Sequence, residues 1–113
     1  MRVRLLHRVM RIVVLALCIA ACNSAQPTGI APMSCPPDST LTYANFGASF
    51  MTDNCGSCHD KQQRPALATQ AAVQANAADI LDAAVYTDAM PQDTNMTTQQ
   101  RELLNEWLAC GAP

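Results

Sequence analysis

The chain has 113 residues, the size of one small domain, with seven basic and nine acidic side chains and a formal net charge of −2. Four of the bases, Arg2, Arg4, Arg8 and Arg11, crowd the N-terminus; past them Lys61, Arg64 and Arg101 stand against all nine acids, a net of −6. So few bases cannot neutralise a run of phosphates, which excludes a nucleic-acid groove, and the acidity favours a neutral or basic docking partner.

The basic residues of "MRVRLLHRVMR" are followed by an unbroken apolar run from Ile12 to Ala21. That run is too short to span a bilayer, and its charged-then-apolar order is that of a secretory signal over residues 1–21. Ile19-Ala20-Ala21-Cys22 resembles the bacterial lipobox. The resemblance implies cleavage before Cys22, a diacylglyceryl thioether on its sulfur and an acylated amine, enough acyl chain for stable anchoring on the periplasmic face of a membrane. Asn23 carries no strong inner-membrane retention signal, so inner and outer membrane stay open. Residues 22–40 hold Pro27, Gly29, Pro32, Pro36 and Pro37 with little apolar periodicity and read as a tether. As a flexible chain, the stretch from Cys22 to Cys35 would reach roughly 20 Å.

From Leu41 to Pro113 the signals are helical. Tyr43, Phe46, Phe50 and Met51 share a face, and Gly47 on or beside it leaves room for another helix. Residues 69–88 place Val73, Ala77, Ile80, Leu81, Ala84 and Val85 along one stripe. A third segment begins at Thr97, which with Gln100 can form a capping box; Leu103, Leu104, Trp107 and Leu108 supply its buried face, and Gly111 suits the stop. No segment alternates like a half-buried strand, so the expected class is all-α. Residues 41–113 contain many alanines and few large apolar side chains, too little surface to exceed chain entropy by much without something added to the interior.

The cysteines indicate what is added. Of six, Cys18 lies in the signal and Cys22 in the lipobox, leaving Cys35, Cys55, Cys58 and Cys110 in an oxidising compartment. In "NCGSCHD", Cys55, Cys58 and His59 admit three assignments. A redox dithiol of the thioredoxin kind needs a βαβ context, which is missing. A structural zinc site needs a second cluster of ligands, and the one other histidine is His7 in the signal. The third assignment is C-x-x-C-H, the attachment sequence of a c-type haem. Residues three apart lie on one side of a helical turn, so both thiols can reach the vinyl groups on one porphyrin edge while His59 reaches the iron.

An aromatic helix with a small residue, C-x-x-C-H, a middle helix, Met90-Pro91 and a last helix with Trp107 follow one another from Leu41 to Pro113. In this the chain resembles the monohaem class I c-type cytochromes. The resemblance implies three to five helices around one covalent haem c, with the first and last helices crossing where Gly47 and Phe46 or Phe50 meet Leu104 and Trp107. Met51, rather than an aromatic residue, stands four before Cys55, which leaves the packing partner of Trp107 open.

For the sixth iron ligand, Met33 lies in the tether and Met51 on the haem-attachment helix, leaving Met90 and Met96. Met90-Pro91 looks like the family's distal-ligand segment, with Met96, or both sulfurs merely filling gaps, as the alternatives. His59 and Met90 as axial ligands imply a one-electron carrier, rather than an enzyme, working with redox partner proteins. Rival functions are a haem-based sensor with a labile distal ligand and a non-haem lipoprotein whose C-x-x-C forms a disulfide. The family fold also brings Cys35 and Cys110 together; a bridge between them would contribute about 4 kcal/mol through chain entropy. Asp79 and Asp82 read as a solvated edge, Trp107 as core, and Pro65, Ala66 and Leu67 as neighbours of the haem edge.

Overall fold

A computed structural model describes residues 24–60 and 63–113; the signal at 1–21, Cys22, Asn23 and His7 lie outside the described residues. Helix α1 (43–59) is entered through Thr42, whose Oγ1 accepts the Asn45 N–H at 3.1 Å while Asn45 Oδ1 accepts the Thr42 N–H at 2.7 Å. This reciprocal cap satisfies two donors that a helix start leaves without partners. Within α1, wide π turns at Tyr43–Gly47 and Thr52–Gly56 alternate with α turns at Ala48–Met51 and Ser57–His59. Wide turns of this kind are rare and re-aim the side chains that follow them. The second one contains Cys55 and directly precedes Cys58 and His59.

The segment expected as one helix over 69–88 is two. Helix α2 (Gln70–Ala75) starts at Thr69, whose Oγ1 accepts the Ala72 N–H at 3.2 Å, and stops at Asn76. Asn76 Nδ2 donates to the Ala72 carbonyl at 2.7 Å, so a side chain competes for a ladder acceptor and the backbone turns there. Helix α3 (77–86) resumes at once and ends in a π turn, Leu81–Tyr86. The apolar stripe survives the break, with Val73, Ile80, Ala84 and Val85 all buried.

Helix α4 (Thr98–Ala109) carries the expected capping box, Thr97 Oγ1 accepting the Gln100 N–H at 3.1 Å and Gln100 Oε1 the Thr97 N–H at 2.8 Å. It closes with Gly111 at φ +84°, the Gly111 N–H on the Leu108 carbonyl and the Ala112 N–H on the Trp107 carbonyl, the paired bonds of a Schellman stop. Its buried face is Arg101, Leu104, Asn105, Trp107 and Leu108; Leu103, expected there, is only half-buried. Two polar residues at helical spacing occupy places that an apolar count leaves empty.

The first and last helices cross at Gly47. A Cβ built on Gly47 would stand 2.5 Å from Trp107 Cη2 and 2.9 Å from Cε2, inside the ring's own volume. Trp107 is fully buried there, with Phe46 edge-on at 5.7 Å and Tyr43 at 6.3 Å between ring centroids. The Trp107 contact is therefore made by Gly47, Phe46 and Tyr43, one to two turns before the Met51 position. The chain end reinforces the junction, since the Tyr43 N–H donates to the Pro113 carbonyl and Gln70 and Gln74 donate to the Ala112 carbonyl.

The proline-rich stretch before Leu41 differs from a loose tether over part of its length. Thr28 N–H donates to the Tyr86 carbonyl at 3.0 Å, Asp88 N–H to the Gln26 carbonyl at 2.9 Å, and Asn105 Nδ2 to the Ala31 carbonyl at 3.0 Å. Ile30 packs against the core. Peptide groups at 26–31 thus find partners at the end of α3 and on α4, a pairing that composition does not encode. An isolated bridge joins Pro27 and Thr87, and the described residues contain no strand, so the fold is all-α. Among them no helix is long and apolar enough to cross a membrane.

Candidate functional site

A cleft of about 210 Å³ lies between the end of α1 and the α3–α4 loop. It is lined by Cys55, Cys58 and His59 from the first and by Met90, Pro91 and Asp93 from the second. The structure thus brings into one cleft the four residues singled out in the sequence.

His59 ends α1 half-buried, and its Nδ1 lies 2.8 Å from the Pro65 carbonyl oxygen. A carbonyl only accepts, so this contact places a proton on Nδ1, and in the neutral ring that tautomer leaves the Nε2 lone pair available to a metal. The same carbonyl fixes the ring's orientation, as the outer partner of a metal-bound imidazole does. The Leu67 N–H on the His59 carbonyl, at 2.6 Å, holds the turn that delivers Pro65. Pro65 therefore serves through its backbone, while Leu67 is core and neither lines the cleft.

Cys55 and Cys58 are both free thiols and half-buried. Burial pushes the Cys55 thiol up from 9.0 to about 11. Dithiols that exchange disulfides rely on a lowered thiol pKa, so Cys55 is set the opposite way. Cys58 Sγ lies 3.4 Å from Asp93 Oδ2, which links the end of α1 to the far loop. Among the described residues no three of His, Cys, Asp and Glu converge on a point where they could hold a bare metal ion.

The four candidate methionines separate clearly. Met33 is exposed, and Met51 and Met96 are core side chains, 3% and 8% exposed; only Met90 lines the cleft. Its N–H donates to the Ala83 carbonyl at 2.8 Å, a bond back to α3. Away from the cleft, Cys35 and Cys110 are disulfide-bonded, their Cα atoms 4.5 Å apart. Asp79 and Asp82 are exposed, as a solvated edge should be.

One residue near the site was missed by sequence reasoning. Arg101 is 8% exposed and donates to backbone carbonyls of Ala84 on α3 and Met90 in the α3–α4 connection. The available signal was its position three, four and seven residues before Leu104, Asn105 and Leu108, on the inner face of α4. No family model matches the chain, and neither a curated protein nor a solved structure matches it.

Proposed function

We propose that this chain is an exported one-electron carrier of the class I cytochrome c kind, holding one haem c covalently through Cys55 and Cys58. His59 and Met90 would hold its iron, and lipid on Cys22 would keep the chain at the periplasmic face of a bacterial membrane. The observation that carries the reading is the convergence of both thiols, a His59 ring whose Nε2 is free, and the Met90 side chain on one cleft.

The residues present fit such a group. Cys55 and Cys58 would hold the group through thioethers, each S–H adding across a vinyl double bond with its hydrogen placed on the neighbouring carbon, so that neither oxidant nor reductant would be consumed. When bound, the haem supplies an iron that gains and loses one electron. The chain's part would be to keep that exchange simple: His59, oriented by the Pro65 carbonyl, and Met90 would hold the iron, and Met90 would keep water and small molecules from it. His/Met ligation raises the reduction potential relative to more donating sets.

The test is expression in a host with cytochrome c maturation. Haem that survives acid–acetone extraction, together with an intact mass raised by one haem, supports attachment; a bare lipopolypeptide in such cells overturns it. Reduced protein that fails to bind carbon monoxide favours electron transfer, whereas ready binding favours a gas sensor. Met90→Ala should open the iron to added imidazole, and Met96→Ala should lower stability while leaving the spectrum unchanged. The reverse pattern assigns the ligand to Met96.

A further inference from the structure

Arg101 is a buried cation whose observed hydrogen bonds all go to main-chain carbonyls and none to a carboxylate. From the end of the first turn of α4 its Nη1 shares its two hydrogens among Ala84 O at 2.5 Å, Met90 O at 3.1 Å and Thr87 O at 3.3 Å. Burying a guanidinium without an acid partner is costly, and only well-placed acceptors offset it. Ala84 and Thr87 supply them from the C-terminal end of α3, where carbonyls lack helical partners and the helix dipole is negative.

The third acceptor serves no helix. Met90 O belongs to the loop that lines the cleft, and the N–H of the same residue is already bonded to Ala83 O. Met90 is therefore clamped on both sides of its Cα, its N–H by α3 and its C=O by α4. A side chain that has to present one sulfur in a fixed direction needs this kind of backbone immobilisation, because the Met side chain itself has three freely rotating bonds. Thioether–iron bonds are weak, so the order of the loop decides whether the sulfur stays on the metal or yields to an added ligand.

We propose that Arg101 is the positioning residue of the distal ligand: it locks the Met90 backbone to α3 and α4, and its charge beside the loop raises the reduction potential. The proposal rests on the reading of Met90 as an iron ligand. The charge effect follows because oxidised iron carries one more positive charge than reduced iron, and a nearby cation disfavours the oxidised form. Geometry and charge separate in the conservative variant. Lys keeps the charge but offers a single flexible ammonium where Arg offers a planar fork.

The experiment compares parent, Arg101→Lys, Arg101→Gln and Arg101→Met as full-length holoproteins, with Thr42→Ala as a control destabilised at the opposite end. Four readouts are taken: imidazole affinity of the oxidised form, the far-red sulfur-to-iron(III) absorption, amide hydrogen exchange of Met90, and the reduction potential. Arg101→Met and Arg101→Gln should bind imidazole at least ten-fold more tightly, lose far-red intensity and exchange the Met90 amide at least ten-fold faster. Arg101→Met and Arg101→Gln should lower the potential while Arg101→Lys keeps it near the parent's with intermediate imidazole affinity, and Thr42→Ala should match the parent in all four; a potential unchanged in Arg101→Met overturns the charge effect. If the Arg101 variants lose stability while imidazole affinity and Met90 exchange stay within two-fold of the parent, Arg101 is a helix-end brace only and the proposal is overturned. A parent that itself lacks the far-red band and binds imidazole freely refutes Met90 ligation instead. The clamp is then judged on Met90 exchange alone, with acceleration in Arg101→Met upholding it and unchanged exchange sinking it.

Discussion

The two ends of α4 are held to the rest of the molecule in different ways. At its C-terminal end Trp107 fills the space that Gly47 leaves, a contact of ring against backbone with Phe46 and Tyr43 closing around it. Toward its N-terminal end Arg101 reaches across to three carbonyls, and the loop beyond them borders the cleft with half-buried Met90. Apolar packing is insensitive to small rotations of its members but intolerant of lost volume, whereas a hydrogen-bonded clamp fixes direction with few atoms. The first arrangement suits a part that must stay closed. The second suits a part that must present one side chain to something else.

Trp107→Ala gives the sharpest test of this contrast, because it empties the crossing without touching the clamp. Urea unfolding should show a loss of about 3–5 kcal/mol, while Met90 exchange relative to global unfolding stays unchanged. A loss below 1 kcal/mol would mean that the crossing is not the centre of the fold. Joint replacement of Cys35 and Cys110 by Ser acts at the same end and should cost about 2–4 kcal/mol, read as the difference between unfolding curves of the parent and the double variant. Reductant should abolish that difference.

A smaller effect belongs to the cleft end of α1. In haem-free protein the Cys55 thiol is raised in the folded chain, so its contribution is fully present below pH 9, the unfolded value, and is lost as pH rises through about 11. Stability should fall across that window by at most about 2 kcal/mol, and alkylation of Cys55 should lag that of an unfolded peptide. Covalent haem should remove the pH dependence, since a thioether does not titrate; a window that persists in holoprotein would assign the proton to another group. The smallest expected effect comes from the caps. Thr42→Ala and Thr97→Ala should each cost about 1 kcal/mol, but only Thr97→Ala, which loosens the helix start adjoining the cleft loop, should also speed exchange at Met90.

The faces that meet at the crossing were legible in the sequence. The spacing of Tyr43 and Phe46, the gap at Gly47 and the Thr97–Gln100 cap are local or periodic signals, and the structure uses each of them, whereas the pairing of the first helix with the last was implied by the resemblance alone. The division at Asn76 was less legible, because an amide in a helical run is only weakly unfavourable until its side chain finds the Ala72 carbonyl. The docking of residues 26–31 left no mark in composition, since backbone amides of any sequence can pair with the end of α3.

The candidate site divides in the same way. Residues close in sequence, Cys55, Cys58 and His59, announce their chemistry by spacing, because one helical turn fixes their mutual geometry. Met90 could be nominated but not distinguished from Met96 until burial put one sulfur at the cleft and the other in the core.

Amino-acid order alone determined the helical class, the helix start at Thr97, and the grouping of two thiols with an imidazole, all set by interactions within a few residues. Only the tertiary structure decided that Pro65 offers its carbonyl to His59, that Met90 rather than Met96 borders the cleft, and that Arg101 grips the loop between them. Those are meetings of backbone with distant side chains, and a carbonyl looks the same in every residue, so no letter of the sequence records which one will be met.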